Sequence, residues 1–343
     1  MATAPCTGSA RNRTVLTAGA TMRRLAIVLL ALALTTGTSA KPSTAADELG
    51  AAIKLLKTHH INRDKADWRG IEAKARAMLP RNGKPEDAYP AINLVIKALG
   101  EKHTSLFTRD EWKAQMTGEQ QNDTKPVQLT PPMFRMLPGR TGYVHVFAFL
   151  GNAQVIKDYE ARFRAQMSAL RKQGACRFVV DLRDNEGGNM WPMLNGLSSL
   201  LGDPPFGFFE PGADPGEVWT TKAGEVQGVE TDIARVPAYS QKHRDPPVAV
   251  LVDRHTSSSG EFTAMAFEGR GGTRVFGQPT AGFVTGNDVF ALPDGAEIAL
   301  TTSGSQDRLR RKYRDRIVPD EITAPGPATD KAALAWLQTQ TCG

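Results

Sequence analysis

The chain has 343 residues, 41% hydrophobic and 23% charged, a globular composition that excludes collagenous and repeat architectures. That length predicts one large domain beside a smaller one. The formal charge of +6 comes mostly from residues 1–40, which hold Arg11, Arg13, Arg23 and Arg24 and no acid; the rest carries 38 basic against 36 acidic residues and predicts no nucleic-acid partner.

In chain order, "MRRLAIVLLALALTTGTSA" begins at Met22. Two arginines, an apolar run from Leu25 to Leu34 and small residues up to Ala40 follow the order of a secretory signal peptide. The apolar run is half of the roughly 20 residues a spanning helix needs. The expectation is therefore a leader over 1–40, a periplasmic or secreted protein, and no stable membrane span after cleavage. Cys6 leaves with the leader. Cys176 and Cys342 remain, and an oxidising compartment permits a bond between them; simple burial of Cys176 before an apolar strand is the alternative.

Residues 41–115 read as a helical domain. "ELGAAIKLLKTHHI", "DWRGIEAKARAML" and "EDAYPAINLVIKALG" repeat apolar residues at spacings of three and four. Residues 116–140, with "MTGEQQNDTKPVQLTPP", are polar and proline-containing and read as a linker. Residues 141–343 read as an α/β catalytic core. Within it "GYVHVFAFL" is a strand, "VIKDYEARFRAQMSALRKQG" an amphipathic helix, and "RFVVDLR" and "PVAVLVD" strands covered on both faces. "NMWPMLNGLSSLLG" and "SGEFTAMAFEGRGG" are helices, and "TRVFGQPT", "DVFALP" and "EIALTT" short strands. "RLRRKYRDR" is read as a solvated basic loop.

Chemistry concentrates where the buried strands end. Ser258 and Glu261, in "TSSSGEF", have the spacing of a helix capping box, and capping alone explains it. Yet this serine lies at a strand-to-helix turn beside free N–H groups, where an oxyanion can be stabilised. A second turn, "DLRDNEGGNM", carries Gly187 and Gly188, whose N–H groups a substrate can approach closely; a tight connection is the plain alternative. A serine nucleophile needs a base. Six histidines remain after the leader: His59, His60, His103, His145, His243 and His255. Pattern alone does not choose among them.

In their order, "GYVHVFAF", "DLRDNEGGNMWPML", "TSSSGEFTAMAF", "GQPTAGFVTGN" and "IVPDEI" resemble the tail-specific, or C-terminal processing, serine peptidases. "INRDKADW" and "LGEKHTSLF" resemble the tricorn and nisin-resistance branch of that family. The resemblance spans about Asp47 to Ile322. It implies a ClpP/crotonase-like spiral α/β core preceded by a small helical domain. It implies Ser258 as nucleophile, His103 as base, an oxyanion hole from Ser259 and Gly187 or Gly188, and Glu261 positioning the serine turn.

Two departures shape the reading. The processing proteases use a lysine where this chain has Phe283, so a Ser–His pair replaces a Ser–Lys pair. They also carry a PDZ domain, for which the roughly forty residues between His103 and Tyr143 leave no room. Glu186 further puts a carboxylate beside the glycine turn. The expected function is hydrolysis of peptide or unfolded-protein substrates through an acyl-enzyme, with no metal or organic cofactor. Thr104, Asp320 and Glu321 are candidates to orient His103. The rival functions are peptide binding without catalysis on the same fold and hydrolysis of non-peptide esters or amides. Oligomeric state is not legible. Mass spectrometry of protein recovered from an exporting host is expected to place the new N-terminus directly after Ala40; an exported chain that retains residues 1–21 removes the leader reading.

Overall fold

The computed structural model describes residues 43–117, 130–210, 212, 215–242 and 245–342. The leader, Cys6, residues 118–129 of the predicted linker and His243 lie outside them. Helix α1 (Ala45–His59) starts at Thr44, whose hydroxyl accepts the Asp47 N–H while the Asp47 carboxylate accepts the Thr44 N–H, a reciprocal cap. Asp67 caps α2 (Trp68–Ala77), and α3 (Tyr89–Ala98) follows. Leu49, Ile53 and Leu56 of α1 meet Ile92, Val95 and Ile96 of α3 in one apolar cluster. Three helices of this length cannot close a core alone. The missing wall comes from Leu292, Ala296, Ile298 and Leu300, about two hundred residues further along the chain.

After α3 come β1 (Ser105–Phe107), α4 (Arg109–Thr117), β2 (Met133–Leu137) and β3 (Thr141–His145). Then α5 (Ala153–Lys172), β4 (Arg177–Asp181) and α6 (Met190–Leu201) alternate. A meander of β5 (Gly207–Phe209), β6 (Glu217–Lys222) and β7 (Glu225–Glu230) precedes β8 (Val248–Val252), α7 (Ser259–Met265) and β9 (Thr273–Gly277). The chain ends with β10 (Gly286–Ala291), β11 (Glu297–Ser303), β12 (Ser305–Asp307), β13 (Lys312–Tyr313), β14 (Glu321–Ile322) and α8 (Pro327–Thr339).

The main sheet has the order β14–β9–β8–β4–β3–β2, parallel throughout except for β2 against β3. From β3 to β14 each new strand is added on the same side of the last, the winding of a spiral α/β core. Both faces are covered, and the strands show it at period two. Phe178 and Val180 of β4 and Val248, Val250 and Val252 of β8 face Phe163 and Leu170 of α5 and Leu194 and Leu197 of α6. Val179, Ala249 and Leu251 face Ala333 and Leu337 of α8. Two smaller antiparallel sheets, β13–β12–β5–β6–β7 and β1–β11–β10, complete residues 43–343 as one compact unit.

Three sequence readings change. The predicted strand from Gly142 leaves the ladder after His145, because Phe149 is needed at the glycine turn: its N–H donates to Gly187 O and its carbonyl accepts the Asn189 N–H. The predicted linker over 116–140 holds a strand, β2, which pairs with β3 at the edge of the main sheet. The basic run is exposed over most of its length, as read, but it supplies the turn and second strand of the β12–β13 hairpin, and its first residue, Arg308, is buried and donates to the Leu201, Asp203 and Ala266 carbonyls around the ends of α6 and α7. Arg311 meanwhile pairs with Asp307 and Glu268.

Cys176, half-buried before β4, is bonded to Cys342 after α8, with Cα atoms 5.3 Å apart and a sequence separation of 166. Closing so long a loop restricts the unfolded chain, an effect worth roughly 2–5 kcal/mol. Cys176→Ser is expected to lower the midpoint of thermal unfolding, and reducing the unmodified protein should give the same shift; equal midpoints with and without reductant would discount the cross-link.

Candidate active site

Strands β4 and β8 are neighbours in register and end at the same edge. Their turns therefore meet. Asn185, fully buried, joins them: its carbonyl accepts the Ser257 N–H at 2.9 Å and its side chain donates to Val146 O at 3.0 Å. Gly260 is required here, since a Cβ would lie 2.5 Å from Asn185 O. Ser259 Oγ adds a bond of 2.6 Å to Gly188 O. The two glycines are needed for a different reason: both have φ of +108°, and a Cβ on Gly188 would stand 2.1 Å from Phe149 O.

Ser258 precedes α7 with φ +50° and ψ −119°, a strained backbone for a residue bearing a side chain. Glu261 holds that geometry. Its carboxylate is fully buried and accepts the N–H of Ser258 at 3.0 Å, of Gly282 at 2.9 Å and of Phe283 at 2.7 Å, together with the Thr280 hydroxyl. Burial pushes the Glu261 carboxyl above the ordinary carboxylate value, and these donors pull against it. The carboxylate half of the capping box is thus formed. The hydroxyl half is a loose contact without hydrogen-bond geometry, because Ser258 Oγ lies 3.0 Å from His103 Nε2.

His103 arrives from the turn between α3 and β1. The Glu101 carboxylate accepts both the His103 N–H and the Thr104 N–H at 2.7 Å. Asn287 donates to the His103 carbonyl at 2.9 Å. Strand β1 pairs with β11, so the hairpin that completes the helical cluster also carries the histidine turn. The ring's other nitrogen, Nδ1, lies 3.0 Å from Thr285 Oγ1. The Phe283 ring packs edge-on against it at 5.2 Å. Burial lowers the His103 pKa, against an opposing pull from the Glu101 charge. If Thr285 accepts from Nδ1–H, Nε2 presents its lone pair to Ser258.

Of the predicted site residues, Ser258, His103, Glu261, Ser259, Gly187 and Gly188 are gathered at this edge. The two glycines differ: the Gly187 N–H donates to Asn185 Oδ1, whereas the N–H groups of Gly188 and Ser259 donate to nothing among the described residues. Glu186 is exposed. None of the three candidates to orient the imidazole touches it. Thr104 Oγ1 accepts the Thr301 N–H, Asp320 accepts the Val275 N–H at the far sheet edge, and Glu321 pairs with Arg274. Thr285 holds that place instead. Asn185, Glu101, Thr285 and Asn287 were all missed, for they act through the backbone or through contacts distant in sequence. Of the other histidines, His59 stacks on Phe290, His60 faces Glu101, His145 contacts Arg183 O, and His255 accepts from Arg254.

An α/β core that sets a strained serine, an imidazole and a glycine turn at adjacent strand ends has the architecture of a serine hydrolase. The model of peptidase family S41 matches residues 140–323, more than half of the chain. The chain belongs to peptidase family S41 and is a serine peptidase. It is 28% identical over 294 residues to the nisin-resistance protein of Lactococcus lactis subsp. lactis, covering 84% of this chain and 86% of that one. It is 28% identical over 193 residues to the carboxyl-terminal-processing protease of Picosynechococcus sp., covering 55% of this chain and 40% of that protein. The structure of a lipoprotein from Streptococcus agalactiae matches with a TM-score of 0.70 at 21% identity, covering 89% of this chain and 100% of that one. The photosystem II D1 C-terminal processing protease matches with a TM-score of 0.56 at 15% identity, covering 87% and 98%. These two likenesses concern the fold.

Glu261→Ala would leave three N–H groups without their acceptor, at a cost of about 1–3 kcal/mol each before relaxation, and the Thr280 hydroxyl with only the Ile317 carbonyl at 3.5 Å. The expected result is a protein with a clearly lowered unfolding midpoint and little activity, whereas wild-type stability would show that Glu261 does not hold the turn.

Proposed function

We propose that this peptidase acts after export and cleaves peptide bonds through a Ser258–His103 acyl-enzyme mechanism. The observation that carries the reading is the 3.0 Å approach of His103 Nε2 to Ser258 Oγ. His103 takes the hydroxyl proton as Ser258 Oγ bonds to the carbonyl carbon. The N–H groups of Gly188 and Ser259 are the free donors for the resulting oxyanion; a donor of this kind is worth about 3 kcal/mol. His103 then gives its proton to the leaving amine, and the C–N bond breaks. Water, deprotonated by the same imidazole, attacks the ester and regenerates the serine. Glu261 positions the turn and carries no proton in this cycle.

Export is supported by the charged, apolar, small-residue order of residues 22–40 and by the Cys176–Cys342 bond. Among the described residues no helix is long and apolar enough to cross a membrane. Similarity to a protein named for nisin resistance makes peptides of that kind a rational part of a substrate panel.

A fluorophosphonate probe should label the protein at Ser258. Ser258→Ala and His103→Ala should each abolish labelling and lower kcat by about 10⁴-fold or more while retaining the fold. Labelling that survives Ser258→Ala would sink the assignment of the nucleophile.

The pH dependence has a definite sign. Burial favours the neutral imidazole, so the base form persists below the ordinary histidine value of about 6.5. The acid limb of kcat/KM is expected below that pH; a limb above it would contradict the buried-base reading.

A further inference from the structure

Serine hydrolases need something on the far side of the imidazole. It must hold the tautomer and stabilise the imidazolium that forms during proton transfer. A carboxylate on the second ring nitrogen does both at once. Here that nitrogen meets a hydroxyl: Thr285 Oγ1 lies 3.0 Å from Nδ1. The Glu101 carboxylate, whose charge acts on the imidazole, makes no hydrogen bond to the ring. Both its oxygens are spent on the backbone N–H groups of His103 and Thr104 at 2.7 Å, and Thr301 Oγ1 adds a bond at 3.1 Å.

Behind Glu101 lies His60, with no exposed side-chain surface. Its Nδ1 accepts the Asn62 N–H at 3.0 Å, so its Nε2 carries the proton and faces Glu101 Oε1 at 3.5 Å. Burial works to raise the Glu101 carboxyl, but the His60 imidazole, Thr104 and the two N–H donors outweigh it and hold it at about 2. Glu101 is therefore a fixed negative charge beside the imidazole, committed to the backbone of the residue that bears it.

Resting on the Ser258–His103 reading, we propose that the third member of the relay is divided between two positioning residues. Thr285 orients the His103 ring through its hydroxyl. Glu101 anchors the His103 backbone and supplies the negative charge from a position where it accepts no proton from the ring. During the cycle one proton moves from Ser258 Oγ to His103 Nε2 and on to the leaving group. The Nδ1–H stays in its bond to Thr285 throughout, and Thr285 keeps its own proton.

The other charged groups around the imidazole do not replace this pair. Lys102 is turned toward Ala281 O at 3.3 Å and over the Phe283 ring. Glu261, beneath Ser258, is saturated by its four donors. Asp288 on β10 accepts from Thr302.

The two halves separate in a kinetic experiment on the full-length enzyme. Thr285→Val removes the acceptor at constant volume. It is expected to lower kcat about 10–100-fold, the cost of a misoriented group, with KM changed less than about twofold. Thr285→Ser should recover kcat to within about threefold. Neither change alters charge, so the acid limb should stay in place. Thr285→Asp would put a carboxylate on Nδ1 and move the acid limb to higher pH. Glu101→Gln, where thermal unfolding shows it folded, should move the limb to lower pH; if it does not fold, Glu101→Asp, which keeps the charge but draws it back from the ring, should move the limb the same way by less.

Wild-type kcat in Thr285→Val, or in folded variants equal loss in Thr285→Val and Thr285→Ser, would overturn the orienting role. An acid limb unmoved by Thr285→Asp, or by every folded Glu101 variant, would overturn the division. Activity surviving in His103→Ala would instead condemn the underlying pair, which distinguishes the two failures.

Discussion

One hydrogen bond spans 155 residues of sequence and depends on everything around it: His103 Nε2 to Ser258 Oγ, 3.0 Å. An imidazole that far along the chain reaches a hydroxyl only if both backbones are immobile at the scale of a few tenths of an ångström. The serine side is fixed by the parallel sheet. Neighbouring β4 and β8 end together, Asn185 ties their turns, and Glu261 collects the N–H groups that a strained turn would otherwise leave unpaired. The histidine side is fixed by the β1–β11 pairing and by Glu101 and Asn287 on either side of the peptide unit.

The helical region is thus part of what positions His103. Its apolar cluster is completed by the β10–β11 hairpin, and the same hairpin supports the histidine turn and continues from Thr285. Loosening α1 or α3 would be felt at the imidazole without any change in the core that holds the serine.

Glu261 illustrates how a local signal acquires a second meaning. Ser-x-x-Glu is enough to start a helix, and a plain cap would use both halves of the box. The carboxylate half is kept, because Ser258, Gly282 and Phe283 all direct N–H groups at it. The hydroxyl half is reduced to a contact without hydrogen-bond geometry, while Ser258 Oγ meets His103 Nε2. Phe283 contributes its N–H to this carboxylate and its ring to the wall beside the imidazole.

The chain by itself determined the α/β core, because residues in "RFVVD" and "VAVLV" alternate between two buried faces and only a doubly covered sheet satisfies both. It also marked Ser258, Glu261 and the Gly187–Gly188 turn, since capping spacing and paired glycines are local properties. Long-range partnerships were beyond it. Thr285 is one threonine among many until folding brings it to Nδ1, and Asn185 looks like any turn asparagine until two strands align. The choice between Gly187 and Gly188 likewise rests on which N–H an asparagine side chain has already occupied. Periodicity encodes which face of an element is buried; only tertiary packing decides which polar atoms meet, because hydrogen bonds are set by distance and direction and leave no period in the sequence.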